Sequence, residues 1–495
     1  MTPIIIKTEH SKIFNLNIVN MVRIGEKKRM LTYSFDDLRS ESLYLYLYKC
    51  IKNDILDGKV KAGEKLPSKR SFAKNLGIST ITVENAYAQL LAEGYIYSLP
   101  KKGYYASDIS EKAVFPANVP TNPENFTIAA NPAYRFDFVS NRNSAANFPF
   151  STWTKLMRET ISEKKEELMT GAPSGGILEL RAAICRHMKQ FRNMDVSPEQ
   201  VIVGAGTEYL YGLIIQLLGR EKIYAVENPG YDKIVKIYES NGVKCKYINM
   251  DESGILVSGL EESHAQIAHI SPSHHYPTGI VTPVSRRYEL LGWAARSEER
   301  YIIEDDYDSE FRLTGKPMAT LQSIDVSGKV IYMNTFTKSL ASTIRISYMV
   351  LPPRLLERFY DKLGFYSCTV SNFEQYTLAS FINGGYFEKH INRMRKFYKS
   401  VRDKLLGEIR RDSMAGRIEI KEEDAGLHFL MKLQTGLSDE AFLQRASQNG
   451  IRLSCLAQYY FGEPPEKTEH TVIMNYSGLS ADEIEEAVAC LRQCM

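Results

Sequence analysis

The chain has no apolar run approaching the roughly 18–20 residues of a membrane-spanning helix, so no such anchor is expected. Its opening, Met1-Thr2-Pro3-Ile4-Ile5-Ile6, meets lysine and acid too soon for a signal-peptide core, and secretion is not expected. The seven cysteines are scattered and odd in number, and only Cys490 and Cys494 lie close together. Neither a disulfide framework nor a paired metal site fits that spacing, and a reducing cytoplasm is the expected setting. Charge of one sign is lacking too: 62 Lys and Arg face 59 Asp and Glu, and a net charge of +3 implies no partner by itself. There is no internal repeat. What remains, at 44% hydrophobic and 24% charged, is ordinary globular composition, and 495 residues exceed one ordinary domain.

Residues 1–34 show no steady hydrophobic period and carry a basic cluster from Arg23 to Arg29, so we expect a mobile tail, with a basic arm on DNA as the alternative. Leu43-Tyr44-Leu45-Tyr46-Leu47-Tyr48 alternates like a strand, yet Leu43, Leu47, Ile51 and Ile55 fall at helical spacing. Length favours a helix, with Gly58 placed to end it. Two short helices are predicted next, with Pro67 near the start of the first, Gly77 at the turn and Ser79 as N-cap of the second. In the second, Val83, Ala86, Tyr87 and Leu90 form an apolar stripe. That leaves Thr80, Thr82 and Asn85 on a polar face of short hydrogen-bonding side chains, suited to a major groove. Tyr95 to Tyr105 reads as a β-hairpin with Lys101 and Lys102 at its tip, where lysines can lie along phosphates.

The segment 35–107 resembles the winged helix-turn-helix of GntR-type transcription regulators. Leu66-Pro67-Ser68, Arg70, Ala73, Leu76-Gly77, Ser79, Thr82-Val83, Ala86-Tyr87, Leu90, Glu93-Gly94 and the wing's Gly103 stand at that family's positions. The resemblance implies a mostly α domain with a β-hairpin wing, binding DNA through Ser68, Arg70, Ser79, Thr80, Thr82, Asn85, Lys101, Lys102 and Gly103. Thr80 departs from the pattern, since the family often has arginine there.

Residues 108–134 hold Pro116, Pro120, Pro123 and Pro132 among Asn and Ala, which is linker chemistry. From 135 onward, short apolar runs at Val201-Ile202-Val203, Ile223 to Val226, Ala268 to Ile270, Tyr301 to Ile303 and Val330 to Tyr332 alternate with helical patterns. That alternation predicts a mostly parallel sheet with crossovers, then a long helical region and a smaller α+β part over 418–495.

Within it, Asn334-Thr335-Phe336-Thr337-Lys338-Ser339 places one lysine among hydroxyls between two apolar runs, with Arg345 close behind. Lost hydration lowers a lysine's pKa and frees the nucleophilic amine for a Schiff base. Hydroxyls and a guanidinium suit a phosphate. Pyridoxal 5′-phosphate (PLP) meets both demands. Gly204-Ala205-Gly206-Thr207-Glu208, which closes one strand and opens a helix, offers backbone N–H groups to a phosphate. Glu304-Asp305-Asp306-Tyr307 ends another strand, where a carboxylate can keep a pyridine nitrogen protonated.

Together these segments resemble fold-type I aminotransferases, and the two-domain order resembles MocR/GabR-type regulators, in which a GntR-like domain precedes an aminotransferase-like one. The resemblance implies a Schiff base at Lys338, Asp305 on the pyridine nitrogen, Tyr307 on the ring hydroxyl and Tyr231 stacked on the ring. Thr335, Thr337, Arg345, Gly206, Thr207 and Glu208 would hold the phosphate. His275 is assigned to the cofactor from the loop Pro272-Ser273-His274-His275-Tyr276-Pro277-Thr278-Gly279, although either histidine also fits a plain loop role. Three departures stand out: Ile473 where aminotransferases carry the substrate-carboxylate arginine, Lys233 where a second effector-site arginine is usual, and Thr170 for an intersubunit tyrosine. The resemblance therefore implies a cytoplasmic homodimer on DNA with repeated half-sites, sensing PLP itself, as in the PdxR-like branch, or an amine or amino acid. A catalytically active aminotransferase with an accessory DNA-binding domain is the alternative.

Overall fold

The computed structural model describes residues 31–35, 41–109, 134–140, 144–313, 318–424 and 426–495. The expected tail lies outside them up to residue 30, and the expected linker from 110 to 133. The chain divides into two compact units, Met1–Ala129 and Ala130–Met495.

In the first unit, α1 (Leu43–Leu56) buries Leu47, Tyr48, Ile51 and Ile55. Helical spacing prevails over the strand-like alternation because only a helix gathers Leu47, Ile51 and Ile55 on one face, against the next helices. Helix α2 (Lys69–Leu76) starts where the Ser68 hydroxyl accepts the Ser71 N–H at 3.3 Å and stops at Gly77, whose φ of 67° is the left-handed cap that glycine favours. Helix α3 (Thr80–Ala92) starts on the Ser79 hydroxyl, which accepts the Thr82 N–H at 3.0 Å. Val83, Ala86, Tyr87 and Leu90 meet Phe72 and the buried face of α1. Of these, Val83 and Leu90 each contribute about 1.5–3 kcal/mol on full burial. The Tyr87 hydroxyl also donates to the Pro67 carbonyl at 2.9 Å, tying α3 to the approach of α2. Strands β1 (Ile96–Leu99) and β2 (Gly103–Ala106) form the antiparallel wing, with Leu99 opposite Gly103.

The second unit begins with a short strand, β3 (Phe136–Asp137), and builds its main sheet from β4 (Val201–Gly204), β5 (Ile223–Asn228), β6 (Lys244–Asp251), β7 (Gly254–Ile255), β8 (Ile267–Ile270), β9 (Tyr301–Asp305), β10 (Val330–Thr335) and β11 (Ser347–Val350). Their order is β4-β11-β10-β9-β8-β5-β6-β7. The pairs among β10, β9, β8, β5 and β6 are parallel, whereas β11 runs antiparallel to both its neighbours and β7 antiparallel to β6. Ile303, Ile331 and Met333 pack into one apolar layer while Ile302 and Val330 pack into another, so the strands are covered on both faces and read as unbroken apolar runs. Strand β6 carries no such run. Lys244 to Asp251 is largely exposed, and the parallel ladder to β5, from Ile223 opposite Lys244 to Asn228 opposite Asn249, holds it.

Beyond the sheet, the helix Tyr386–Arg411 leads into β12 (Ile418–Lys421), β13 (His428–Leu433), β14 (Ile451–Arg452), β15 (Ser454–Cys455) and β16 (Thr471–Asn475). These make an antiparallel sheet in the order β12-β13-β16-β15, with β14 returning to pair with β3. It is the smaller α+β part expected from the sequence. No helix of the described residues is long and apolar enough to cross a membrane.

Candidate functional site

Because β5, β8, β9 and β10 are parallel, their carboxyl ends share one edge, where open α/β sheets bind ligands. The acidic run at the end of β9 is sorted there by the two-residue strand period. Glu304 turns away, accepting the Leu321 and Gln322 N–H groups at 2.8 and 2.9 Å beside Arg287, and burial pushes its carboxyl up to about 7. Asp306 pairs with Arg192 and accepts the Tyr332 hydroxyl at 2.6 Å. Asp305 stands between them. Its Oδ2 accepts the Tyr211 hydroxyl at 2.5 Å and lies 3.4 Å from His269 Nε2, while its Oδ1 is buried without a hydrogen-bond partner among the described residues. The Tyr238 hydroxyl is 2.5 Å from His269 Nδ1, which continues the network inward.

Lys338 sits on the short helix Phe336–Ser339 that follows β10. Its ammonium lies 5.8 Å from the centre of the Tyr307 ring, and burial pushes its pKa down to about 8, with the Asp308 carboxylate opposing. An amine so placed is partly neutral, and therefore nucleophilic, near physiological pH.

The hydroxyl row expected around a phosphate is assembled by sheet register. Gly204 is opposite Ser347, and Ser347 opposite Thr335. Ser347 Oγ donates to Thr335 Oγ1 at 2.8 Å, and Thr335 Oγ1 to Thr337 Oγ1 at 2.9 Å. Gly206 caps the helix Thr207–Leu218 with φ 92°, and a Cβ there would come within 2.4 Å of Arg345 Nη2. A side chain at 206 would meet that backbone strain and push the guanidinium off the helix N-terminus. Glu208 lies 3.5 Å from Arg345 and also pairs with Lys233, the residue at the effector-arginine position. Thr170, the other departure, turns its hydroxyl back to the Glu166 carbonyl at 3.0 Å.

The two histidines of the loop point different ways. His275 faces inward: its Nδ1 is 2.7 Å from Thr278 Oγ1 and its Nε2 3.4 Å from Glu227, with burial holding its pKa down at about 3. His274 faces Tyr307, its Nδ1 2.8 Å from Asp308 and 3.3 Å from the Tyr307 hydroxyl. The His428 ring, on β13, lies 4.5 Å from it and 5.2 Å from Tyr276. Tyr231 is 45% exposed and meets Tyr276 edge-on at 5.9 Å, so one face remains open to a planar group. Ile473, fully buried, packs with Leu430 and Leu456 against Tyr276, Tyr459 and Tyr460. Tyr211, His269, His274, Asp308, Ser347 and His428 were missed by sequence reasoning. Tyr211 had a legible signal, one turn after Thr207 on the same helix face, and His274 stood beside His275 in the quoted loop.

In the first unit, Arg70, Thr80, Asn85, Lys101 and Lys102 are exposed, as a surface for nucleic acid requires. The Ser68 and Ser79 hydroxyls serve as helix caps, and Ser79 Oγ is also 2.8 Å from Thr82 Oγ1, which fixes the threonine's direction. Lys69 donates to Glu84 at 2.6 Å and lies over the Tyr104 ring at 5.5 Å, joining α2, α3 and the wing. Gly103 has φ 109°, which the wing turn requires after Lys101 at 61°.

Comparison with known proteins matches both units. The family model "Bacterial regulatory proteins, gntR family" covers residues 43–105, and "Aminotransferase class I and II" covers 136–491. The "Uncharacterized HTH-type transcriptional regulator YdeL" of Bacillus subtilis is 36% identical over 91% of this chain and 96% of its own length. The "Probable rhizopine catabolism regulatory protein MocR" of Rhizobium meliloti is 31% identical over 91% of this chain and 93% of its own. The "HTH-type pyridoxine biosynthesis transcriptional regulator PdxR" of Corynebacterium glutamicum is 26% identical over 85% and 89%. Among solved structures, Pyrococcus horikoshii kynurenine aminotransferase superposes with a TM-score of 0.65 at 24% identity, over 74% of this chain and 91% of the enzyme, which establishes the fold of the second unit. With a GntR helix-turn-helix joined to an aminotransferase-like unit, and with relatives aligned along nearly their whole length, the chain belongs to the MocR-type family of GntR transcriptional regulators.

Proposed function

We propose that this regulator binds PLP at the sheet edge around Lys338 and couples its occupancy to DNA binding by the winged helix. The observation that carries the proposal is Asp305 Oδ1, a buried acceptor with no donor among the described residues, at the strand end beside the Tyr307–Lys338 pair. An orphaned buried carboxylate oxygen costs about 1–3 kcal/mol or more, and a protonated pyridine nitrogen satisfies it. Bound PLP supplies an aldehyde for amines and an electron-withdrawing ring. Lys338 would hold that aldehyde carbon, Tyr307 the ring hydroxyl, and Tyr231 a ring face. The N–H groups of Gly206, Thr207 and Glu208, with Thr335, Thr337 and Arg345, would hold the phosphate. His275 acts one step back, orienting Glu227.

For the effector, the sealed Ile473 cluster argues against an amino acid held by its carboxylate, and we propose PLP itself. The printed names of the relatives point both ways, to pyridoxine biosynthesis for PdxR and to rhizopine catabolism for MocR, so amines form the second class to test. The protein is proposed to act in the cytoplasm as a homodimer whose two winged helices meet repeated half-sites.

The test uses the cofactor-free full chain and its own upstream DNA at fixed salt, with and without PLP. Borohydride trapping should place PLP on Lys338, and PLP alone should shift DNA affinity by about fivefold or more. PLP trapped at Lys338 with unchanged DNA affinity overturns the effector assignment; no trapped adduct overturns the site. Donors that convert bound PLP to its amine form at catalytic rates would favour a working aminotransferase instead.

A further inference from the structure

On α3, the residues opposite the buried stripe of Val83, Ala86, Tyr87 and Leu90 are Ile81, Glu84, Asn85 and Ala88, all exposed. At about 100° per residue, Ile81 falls near the middle of that face. It is 68% exposed, more than any other large hydrophobic residue described in this unit. Folding gives no reason for it: a β-branched side chain is a weak helix former, and this one buries little area. Single exposed apolar residues are common on proteins; this one is set among groups of another kind. Thr80 precedes it, Asn85 lies one turn on, and Glu84 is held by Lys69 at 2.6 Å. Short polar groups of that kind read base edges, and the one apolar feature a base pair presents in the major groove is the thymine 5-methyl.

We infer that Ile81 is a specificity-determining residue whose side chain packs on a thymine 5-methyl, selecting T·A over the other pairs at one position of each site that α3 reads. The inference rests on α3 entering a major groove, and it adds the chemistry of one contact. Asn85 supplies the neighbouring polar contact.

The experiment enriches duplexes from a random library on the full chain, then replaces each thymine of the enriched duplex in turn by uracil, which removes only the methyl and keeps the pairing. The expected result is one position per site where uracil weakens binding about fourfold, the equivalent of one buried methyl. In Ile81→Ala that sensitivity should vanish, whereas in Ile81→Val it should persist in part. Both variants should melt like the parent, since the side chain is exposed. A uracil scan with no responsive position, or one whose response is undiminished in Ile81→Ala, overturns the inference. Failure to enrich any duplex removes groove reading by α3 and this contact with it, which keeps the two failures distinct. Ile81→Ala acting only on capture of a protein, with DNA binding unmoved, likewise overturns it.

Discussion

Replacing Lys338 by methionine should make the cofactor-free protein more stable. Burial lowers the lysine's pKa from 10.5 to about 8, so keeping the folded side chain charged at neutral pH costs free energy. At about 1.4 kcal/mol per tenfold change, the gap corresponds to about 3 kcal/mol. Below pH 8 both folded and unfolded chains hold the proton, and the cost is fully present. Between about 8 and 10.5 the unfolded chain holds a proton the folded chain has released, so wild-type stability climbs with pH and the cost is gone above that window. Methionine fills similar space without the charge. With an unfolding entropy of about 2.1 cal/mol/K per residue, a unit spanning Ala130–Met495 should gain about 4 °C in Tm at pH 7, and the gap should close by pH 10.5. Differential scanning calorimetry of both proteins, stripped of cofactor, reads this directly. Equal Tm values at pH 7 would show that the amine bears no desolvation cost, and the argument for an activated nucleophile would fail. A gap that persists at high pH would assign the effect to methionine packing instead.

Three further outcomes follow from neighbouring geometry. Burial raises the Glu227 carboxyl from 4.5 to about 8, so the folded chain keeps a proton that the unfolded chain loses, and stability falls as pH rises through that window. Glu227→Gln, which can still accept the Ser271 N–H, should match the parent near pH 4.5 and melt progressively higher toward pH 8. Gly206→Ala places a methyl 2.4 Å from Arg345 Nη2 at a φ of 92°, and should weaken PLP binding about tenfold or more, roughly the loss of one charge-assisted hydrogen bond, while leaving pyridoxal binding unchanged. Equilibrium titration with the two ligands separates these outcomes. Ser79→Ala removes the cap on α3 and should destabilise that helix by about 1 kcal/mol, seen as faster hydrogen exchange at Thr82 and Val83 with no change in the second unit.

The first unit was legible because its signals are local. Ser68, Gly77 and Ser79 fix helix ends by hydrogen bonds within three residues or by one backbone torsion, and the stripe of Val83, Ala86, Tyr87 and Leu90 is a direct consequence of helical period. The setting of Lys338 was legible for a related reason, since the apolar runs that bracket it in sequence are both buried strands. The choice between His274 and His275 was not. Adjacent loop residues point opposite ways, and which one meets Tyr307 depends on Asp308 and Glu227, which come from two other strand ends. Tyr211 and His269 reach Asp305 only through the sheet order, and Ser347 reaches Thr335 only through antiparallel register. Strand β6 was missed because its stability comes from a backbone ladder to β5, which leaves no apolar trace.

A ligand shifts a conformational equilibrium only by as much as it interacts differently with the two states. The residues around Lys338 divide on this point. Toward the proposed cofactor end, interaction capacity is unspent: Asp305 Oδ1 lacks a donor among the described residues and the Lys338 charge is disfavoured by burial. Toward Ile473 it is already spent, with the Tyr276 and Tyr459 hydroxyls 2.8 Å apart, Tyr459 donating to Ser454 at 3.2 Å, and Ile473 sealed between Leu430 and Leu456. An amino acid arriving with its carboxylate would have to break that packing and would meet an isoleucine, not a guanidinium, at position 473. PLP would satisfy the orphaned oxygen and remove the buried charge. The larger free-energy change is therefore available from cofactor binding, which is the physical ground on which we propose PLP, before any amino acid, as the effector.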